Sequence, residues 1–103
     1  MARLFNLNST IPTELLIEVD DLLVVAAIGC ILKSGTGNVE ILGPYLPGVI
    51  DENGNAIMPM GNPNTVLILA RRPGTATIVL FFSDLLSGTS KSSTIRINII
   101  AGY

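Results

Sequence analysis

Polar and apolar residues alternate over residues 94–99, where isoleucine occupies every second position. A period of two predicts a β-strand with one face in the core and the other in water. Residues 75–82 show the same period, although their second face is partly apolar. The more apolar face of these two strands is expected to contribute four residues to the central core: Ile78, Leu80, Ile97 and Ile99.

Turn residues separate the other apolar segments at intervals of roughly eight to twelve residues, the spacing of a sandwich or a barrel. The remaining strands are predicted at residues 15–19, 22–32, 38–42, 49–50, 56–58 and 65–70. Residues 22–32 are apolar on both faces, so this strand is expected to be central or covered. Asn53-Gly54 lies between two of the short segments and predicts a hairpin turn, because glycine supplies positive φ.

No segment of ten or more residues follows a helical period well. We therefore predict an all-β domain, an immunoglobulin-like Greek-key sandwich of about seven or eight strands, with a small barrel as the alternative. Residues 43–48 are too rich in proline and glycine for regular structure, and residues 83–93 are predicted to form a polar loop.

The first thirteen residues are expected to form an extended N-terminal arm, and residues 14–103 to form the sandwich domain. Pro12 limits hydrogen bonding there, and residues 6–10 are too polar for a core strand. Because the arm also carries apolar side chains, we expect it to order on a neighbouring subunit or shell.

Charged residues make up 14% of the chain and hydrophobic residues 49%, whereas a typical domain has about 25% charged residues. A weakly charged surface favours association, so part of this surface is expected to be buried in an assembly. The predicted protein interface consists of Leu4, Phe5, Leu7, Tyr45, Leu46, Arg71 and Arg72. Met58 and Met60 also lie in or beside loops, where a free monomer would expose them. In the alternative interpretation, these methionines, Tyr45 and Leu46 fold back and cap the ends of the sandwich.

The net charge of −2 and the six dispersed basic residues argue against nucleic-acid binding. Arg71-Arg72 is the one adjacent basic pair, and it is either a contact for an acidic partner or a solvated turn. The uncharged segment from Leu22 to Leu32 is too short for a membrane-spanning helix, which needs about 20 residues. Because no secretory signal is recognisable at the start, we expect the chain to be made and folded in a cytoplasm.

Candidate catalytic and metal-binding groups are few. The chain has no histidine and a single cysteine, Cys30, so nucleophile–histidine pairs, zinc sites and internal disulfides are not expected. Asp20-Asp21 and Asp51-Glu52 are adjacent acids at predicted turns, where such residues cap the backbone. Residues 51–55 do not match an EF-hand calcium loop, which leaves open a weak calcium site near Asp51. The sequence thus predicts no catalytic residue, no cofactor and no metal.

Two parts of the sequence resemble known domains. Residues 73–80 together with 94–99 resemble the last two strands of bacterial and phage immunoglobulin-like domains, and residues 17–25 resemble their opening strand pair. The paired cysteines and buried tryptophan of antibody domains are absent. The resemblance implies an adhesion module, a spacer or a virion decoration.

Three functions follow as hypotheses. The first is a structural protein of a virion, such as a phage capsid decoration or tail-associated protein, whose partners are further copies of itself, as a trimer, and a major capsid protein. The second is an adhesion module of a bacterial surface protein, although the Met1 start and the Tyr103 end favour the first hypothesis over an excised module. The third is a chagasin-like protease inhibitor. Such inhibitors carry an Asn-Pro-Thr-Thr-Gly loop and an Arg-Pro-aromatic loop, whereas this chain offers Asn62-Pro63-Asn64-Thr65 and Arg72-Pro73-Gly74, without the required neighbours and at other points in the strand order.

Overall fold

The structure is a computed structural model that describes residues 2–7, 11–57, 63–84 and 89–102. These residues form strands and connections, and none of them forms a helix. No helix long and apolar enough to cross a membrane is therefore found among them. The strands are β1 (Leu4–Leu7), β2 (Glu14–Glu18), β3 (Leu22–Val25), β4 (Gly29–Ser34), β5 (Val39–Tyr45), β6 (Val49–Ile50), β7 (Ala56–Ile57), β8 (Thr65–Ala70), β9 (Gly74–Asp84) and β10 (Thr89–Ile100).

Eight of these strands form two sheets, and the other two form a separate hairpin. Sheet A has the order β1-β3-β8-β5, and sheet B has the order β2-β10-β9-β4. The strands β3, β8 and β5 pair as B, E and D do in an immunoglobulin sandwich, and β4, β9 and β10 pair as C, F and G do. The predicted all-β, immunoglobulin-like sandwich is thus confirmed.

The two sheets bury their facing side chains in one core. Alternate residues of β8, β9 and β10 are fully buried, as the period of two requires. The four residues predicted to be central belong to this core, which confirms that prediction. The core contains Ile17, Leu23, Val25, Ala27, Val39, Val66, Ile68, Ala70, Ala76, Ile78, Leu80, Ile95, Ile97 and Ile99.

The connections divide between the two ends of the sandwich. We call one end the loop end, because β1–β2, β3–β4, β5–β8 and β9–β10 are joined there. The other end, the turn end, holds the short connections β2–β3, β4–β5 and β8–β9. Strand β8 runs from Thr65 at the loop end to Ala70 at the turn end, which separates these residues by roughly 17 Å at about 3.3 Å per residue.

The prediction of one strand over residues 22–32 is wrong, because the chain changes sheets within it. The N–H of Ala27 donates to the carbonyl of Val25 at 2.9 Å, which turns the backbone out of sheet A. The next N–H, from Ile28, donates to the carbonyl of Phe81 in sheet B at 2.8 Å. The segment is apolar throughout because both strands and their crossing line apolar surfaces.

Two predicted loops are partly strand. Strand β5 continues to Tyr45 through a bulge between Leu42 and Tyr45, where the peptide bond before Pro44 is cis. Proline is tolerated there because β5 lies at the edge of sheet A. Most of the predicted loop 83–93 also pairs, since β9 and β10 continue towards each other as a ribbon. The hairpin predicted around Asn53-Gly54 is confirmed as β6 and β7.

Part of the predicted arm pairs with sheet A. Strand β1 lies parallel to β3, with Leu4 opposite Leu22 and Leu7 opposite Val25. The N–H of Leu22 donates to the carbonyl of Arg3 at 2.8 Å. Residues 1 and 8–10 of the predicted arm lie outside the described residues. Ordering of the arm on a neighbouring subunit stays a prediction.

Gly35 in the β4–β5 turn is required by a close approach of two backbones. It has φ of +90°, and a Cβ atom built on it would lie 2.6 Å from the Cα atom of Ala76. Gly37 in the same turn has nearly the same φ, +91°, but nothing lies within 4 Å of its Cβ position. Both glycines therefore need a positive φ, but only Gly35 also lacks room for a Cβ atom.

We predict that Gly35→Ala destabilises the domain more than Gly37→Ala does. Both substitutions strain a left-handed backbone, but only Gly35→Ala also forces β9 away from the turn, which should cost about 1–3 kcal/mol more. Urea unfolding followed by circular dichroism measures the two free energies. Equal losses would show that β9 yields to the added methyl group.

Candidate interaction surfaces

The β6–β7 hairpin stands apart from both sheets and is apolar on both of its sides. Val49 and Ile50 are adjacent in β6 and point to opposite sides of the hairpin, yet they are 63% and 67% exposed. Ile57 of β7 is half exposed. A hairpin docked on a sheet would bury one of its sides, so the hairpin presents unpartnered hydrocarbon to solvent.

The turn of the hairpin is fixed by the carboxylate of Asp51. One oxygen, Oδ1, accepts hydrogen bonds from the N–H groups of Asn53 and Asn55, both at 2.9 Å. Gly54 supplies the positive φ, +83°, that closes the turn. The hydrogen bond from the Asn55 N–H is the main reason why the pKa of Asp51 lies below its ordinary value. Asp51 therefore shapes the turn, as the hairpin interpretation predicts.

The hairpin is one of several apolar features at the loop end. It lies in the connection between β5 and β8. The two ends of that connection are joined by a hydrogen bond from the N–H of Asn64 to the carbonyl of Tyr45 at 2.9 Å. The side chain of Tyr45 is about half exposed. Ile28, in the crossing between the sheets, is also exposed at this end.

A second apolar surface covers the outward side of sheet A. The buried residues of β3 and β8 define the inward side, so the residues between them point outward, and strand pairing extends this assignment to β1 and β5. We call this surface the leucine face. It consists of Leu4, Leu22, Val24, Leu42, Tyr45, Leu67 and Leu69.

The residues of the leucine face lie in adjacent rows across the strands. Leu22 is paired with Leu4 on one side and Leu69 on the other. Leu67 of β8 is paired with Val24 and with Leu42. These side chains are part-exposed, and sheet A has no further sheet on this side among the described residues.

The outward side of sheet B is polar along residues 94–98 of β10 and at the start of β9, whereas Val79 and Phe81 of β9 and Ile31 of β4 add apolar side chains to it. Arg96 and Asn98 of β10 point outward, opposite Thr77 and Thr75 of β9. The Thr75 hydroxyl donates to Asn98 Oδ1 at 3.0 Å, and Asn98 Nδ2 donates to a Glu14 carboxylate oxygen at 2.6 Å. One wet face is usual for an antiparallel sheet. This outcome confirms the expectation for residues 94–98, and the leucine face is the more uniformly apolar of the two outward sides.

An ionic cluster lies at the turn end, where the N-terminal edge of the sandwich begins. Asp21 is fully buried, and its two carboxylate oxygens accept hydrogen bonds from Arg3 Nε at 3.1 Å and Arg3 Nη2 at 2.7 Å. The N–H of Glu18 donates to the same carboxylate at 2.8 Å. These hydrogen bonds, that of the Arg3 guanidinium above all, hold the pKa of Asp21 below its ordinary value.

A cavity of about 270 Å³ opens along the same edge, between β1 of sheet A and β2 of sheet B. It exists because these two edge strands belong to different sheets and nothing described bridges them there. It is lined by Phe5, Asn6, Leu7, Leu15, Leu16, Ile17 and Leu23. An apolar lining with one amide gives it no group that could carry out acid–base chemistry.

Neither the acids nor the thiol form a catalytic arrangement. Burial raises the pKa of Cys30 to about 11, so its thiol stays protonated at neutral pH and is a poor nucleophile. Within the described ranges, no group of three or more potential ligand side chains could hold a metal ion. Asp21 is occupied by its hydrogen bonds to Arg3 and Glu18.

The structure places the predicted interface residues in three regions. Tyr45 and the half-buried Leu46 lie at the loop end, and Arg71 and Arg72 follow β8 at the turn end. Arg71 forms an ion pair with Glu40, whereas the Arg72 side chain is exposed. These two pairs of residues are therefore at opposite ends of the sandwich.

The N-terminal members of the predicted interface divide between the two sides of sheet A. Leu4 points outward on the leucine face, and Phe5 lies under the Arg3 guanidinium, 5.1 Å from its ring centre. Leu7 packs against the core. The role of all seven residues as an interface stays a prediction, and Met58 and Met60 lie outside the described residues.

Sequence reasoning missed the leucine face as a surface. Its signal was present, since Leu22, Val24, Leu67 and Leu69 occupy the alternate positions that a wet strand would fill with polar residues. The hairpin was predicted, but the exposure of Val49 and Ile50 depends on where it stands relative to the sheets. That position has no local sequence signal.

Comparisons with known proteins find similar folds but no family to which the chain can be assigned. No protein-family model and no curated protein matches the chain. The solution structure of amebosin is similar, with a TM-score of 0.53 and 14% identity over 93% of this chain and 97% of that one. The crystal structure of the cysteine protease inhibitor EhICP2 from Entamoeba histolytica is also similar, with a TM-score of 0.52 and 16% identity over 96% of this chain and 97% of that one. At these identities the likeness shows the β-sandwich fold.

We predict that Asp21→Asn lowers the free energy of unfolding at neutral pH by about 1–3 kcal/mol, because a buried amide cannot accept all the hydrogen bonds of the carboxylate. Asp20→Asn is the matched control. Asp20 is exposed in the same turn with φ of +76°, a conformation that asparagine tolerates, so the control should change little.

The Asp21→Asn effect should also depend on pH. Because the folded-state pKa of Asp21 is lowered, its contribution is present above the unfolded value of about 3.8 and is lost as the pH falls through the folded value. Urea unfolding at a series of pH values should therefore show the difference between wild type and variant shrinking below pH 4. A difference that stays constant with pH would contradict this assignment.

Proposed function

We propose that this chain is a non-enzymatic protein-binding domain that inhibits a cysteine protease through its loop end. The fold supports the proposal, because a cysteine protease inhibitor has the same sandwich over nearly the whole length of both chains. The proposal corresponds to the third hypothesis drawn from the sequence. It takes precedence over the virion hypothesis, for which neither the fold nor the comparisons offer support.

The observation that carries the proposal is the β6–β7 hairpin. It presents the exposed Val49, Ile50 and Ile57 on a two-stranded element that pairs with neither sheet of the sandwich. Such an element can enter a protease cleft and exclude water there, whereas the flat side of a sheet cannot. The Asp51 turn holds the hairpin in one shape before binding, which lowers the entropic cost of association.

The two sequence motifs compared with chagasin-like inhibitors do not meet in this structure. Pro63 and Asn64 precede β8 at the loop end, and Arg72-Pro73 follows it at the turn end. The strand between them keeps them roughly 20 Å apart. Asn62 lies outside the described residues. The proposed inhibition therefore rests on the hairpin and its neighbours at the loop end, and Arg72-Pro73 has no part in it.

The experiment measures hydrolysis of a fluorogenic peptide by a panel of cysteine proteases while the protein is added up to about 100 µM. Inhibition of at least one protease is expected. Ile50→Asp should weaken that inhibition by roughly 30-fold or more, because truncating or charging a buried anchor typically costs 2 kcal/mol or more.

Leu16→Asp is the matched control for Ile50→Asp. Leu16 is 65% exposed, close to the 67% of Ile50, but it lies on β2 at the lateral edge of sheet B. The control variant should inhibit as the wild type does. If the wild type inhibits no member of the panel, or if both variants lose inhibition equally, the proposal fails.

A second candidate function is assembly into a larger particle, such as a phage virion, as a decoration or tail-associated protein. The observation that favours it is exposed hydrocarbon on several sides, since Leu4, Leu16, Ile31 and Ile50 lie on different strands and are each more than half exposed. An inhibitor needs one apolar end, whereas a subunit of a shell is covered on several sides. Sedimentation equilibrium that gives a trimer, about three times the 10.9 kDa chain mass, would favour this candidate.

A further inference from the structure

The leucine face is a second apolar surface, and it meets the loop end, on which the proposed function rests, only at Tyr45. Its central residue, Leu67, is flanked in the sheet by Val24 and Leu42, so hydrocarbon extends across three of the four strands. The other broad side of the molecule shows what a solvated face of this domain looks like, because Thr75, Asn98 and Glu14 form a hydrogen-bonded polar network there. That side also carries outward apolar residues, Val79 and Phe81 of β9, so the two sides differ in degree: the interior strands of sheet A point only one polar residue, Thr65, outward, whereas those of sheet B point several.

Covering the leucine face would bury no charged side chain that lacks an ion-pair partner. Glu40 is the one acidic side chain that points outward from β3, β5 and β8. It lies on edge strand β5 and is paired with Arg71 of the same chain. Burial of the face therefore removes hydrocarbon, the neutral Thr65 and the amide of Asn6 on edge strand β1 from water, which avoids the large cost of desolvating a lone charge.

We propose that the leucine face is covered by the leucine face of a second copy of this chain, in a two-fold symmetric dimer. A sheet surface is nearly flat, so it is complementary to itself, and a surface without charge does not repel its own copy. Sheet A already packs one apolar side against a sheet about 10 Å away, and the second copy repeats that packing on its other side. A two-fold contact uses the same patch on both partners.

The area of the face sets the expected strength of the dimer. Four strands about 4.8 Å apart and three rows of outward residues give a plane of roughly 400 Å² per copy. A standard stable interface buries about 800 Å² per partner. This plane already includes Leu4 and Tyr45 and is about half of that size, so a weak dimer with a dissociation constant in the micromolar range or weaker is expected.

The test is sedimentation velocity of the full chain from about 1 µM to 1 mM. The wild type should shift from monomer to dimer with concentration. Leu67→Glu, at the centre of the face, should raise the dissociation constant by at least 10-fold. Thr94→Glu introduces the same charge at an exposed outward position of an interior strand of sheet B and should leave association unchanged.

A milder matched pair keeps the test decisive if Leu67→Glu does not fold. Val24→Thr and Val79→Thr preserve side-chain shape on interior strands of sheets A and B, and both valines point outward and are part-exposed. Only Val24→Thr should weaken the dimer, with both variants folded by circular dichroism. A wild type that stays monomeric at 1 mM, a trimer, or equal effects of the two valine variants would overturn the proposal. Protease inhibition by the monomer could survive each of these results, so the two proposals fail separately.

Discussion

The position of the N-terminal strands depends on the buried carboxylate of Asp21. A buried charge is costly unless it is paired and hydrogen-bonded, and Asp21 meets that condition with the Arg3 guanidinium and the Glu18 N–H. Its backbone also takes part, because its carbonyl accepts a hydrogen bond from the N–H of Ala70 at 3.0 Å. One residue thus links the start of β1, the end of β2 and the end of β8. Because these strands belong to both sheets, the cluster fixes how the sandwich is closed at this edge.

Polar and apolar residues are distributed unevenly over the surface of the sandwich. Sheet B carries its polar residues where an antiparallel sheet is expected to carry them, on the outward side of its central strands. Sheet A places Leu67 and Val24 at the equivalent positions, and the hairpin places Val49 and Ile50 in solvent on both of its sides. Apolar residues therefore form two surfaces, the leucine face and the hairpin, in addition to the core. This division allows one surface to bind a different protein while the other binds a second copy.

Sequence reasoning recovered the features that local patterns encode. The isoleucines of β10 identify its inward side, and Asn53-Gly54 identifies the hairpin. It missed the crossing at Ala27, because the residues there are apolar and carry no glycine or proline signal between Leu22 and Ile28. It treated residues 83–93 as a loop, because that segment is rich in serine and threonine and shows no alternation of apolar and polar residues. The Arg3–Asp21 pair joins residues 18 positions apart, and neither residue has a neighbour that indicates the other.

The inward position of Cys30 on β4 gives this domain a reporter of its own motion. Cys30 is the one thiol of the chain, it is paired in the sheet with the buried Leu80, and burial raises its pKa to about 11. Thiol reagents react with the thiolate, so they should modify the part-buried Cys30 slowly in the closed sheet and faster in molecules whose β4 has separated from β9. Strand β4 lies at the edge of sheet B and is hydrogen-bonded to β9 alone, so it can open without disrupting any other strand pair. The rate of thiol labelling in native buffer would therefore measure the local opening of this edge, without any engineered probe and independently of global unfolding.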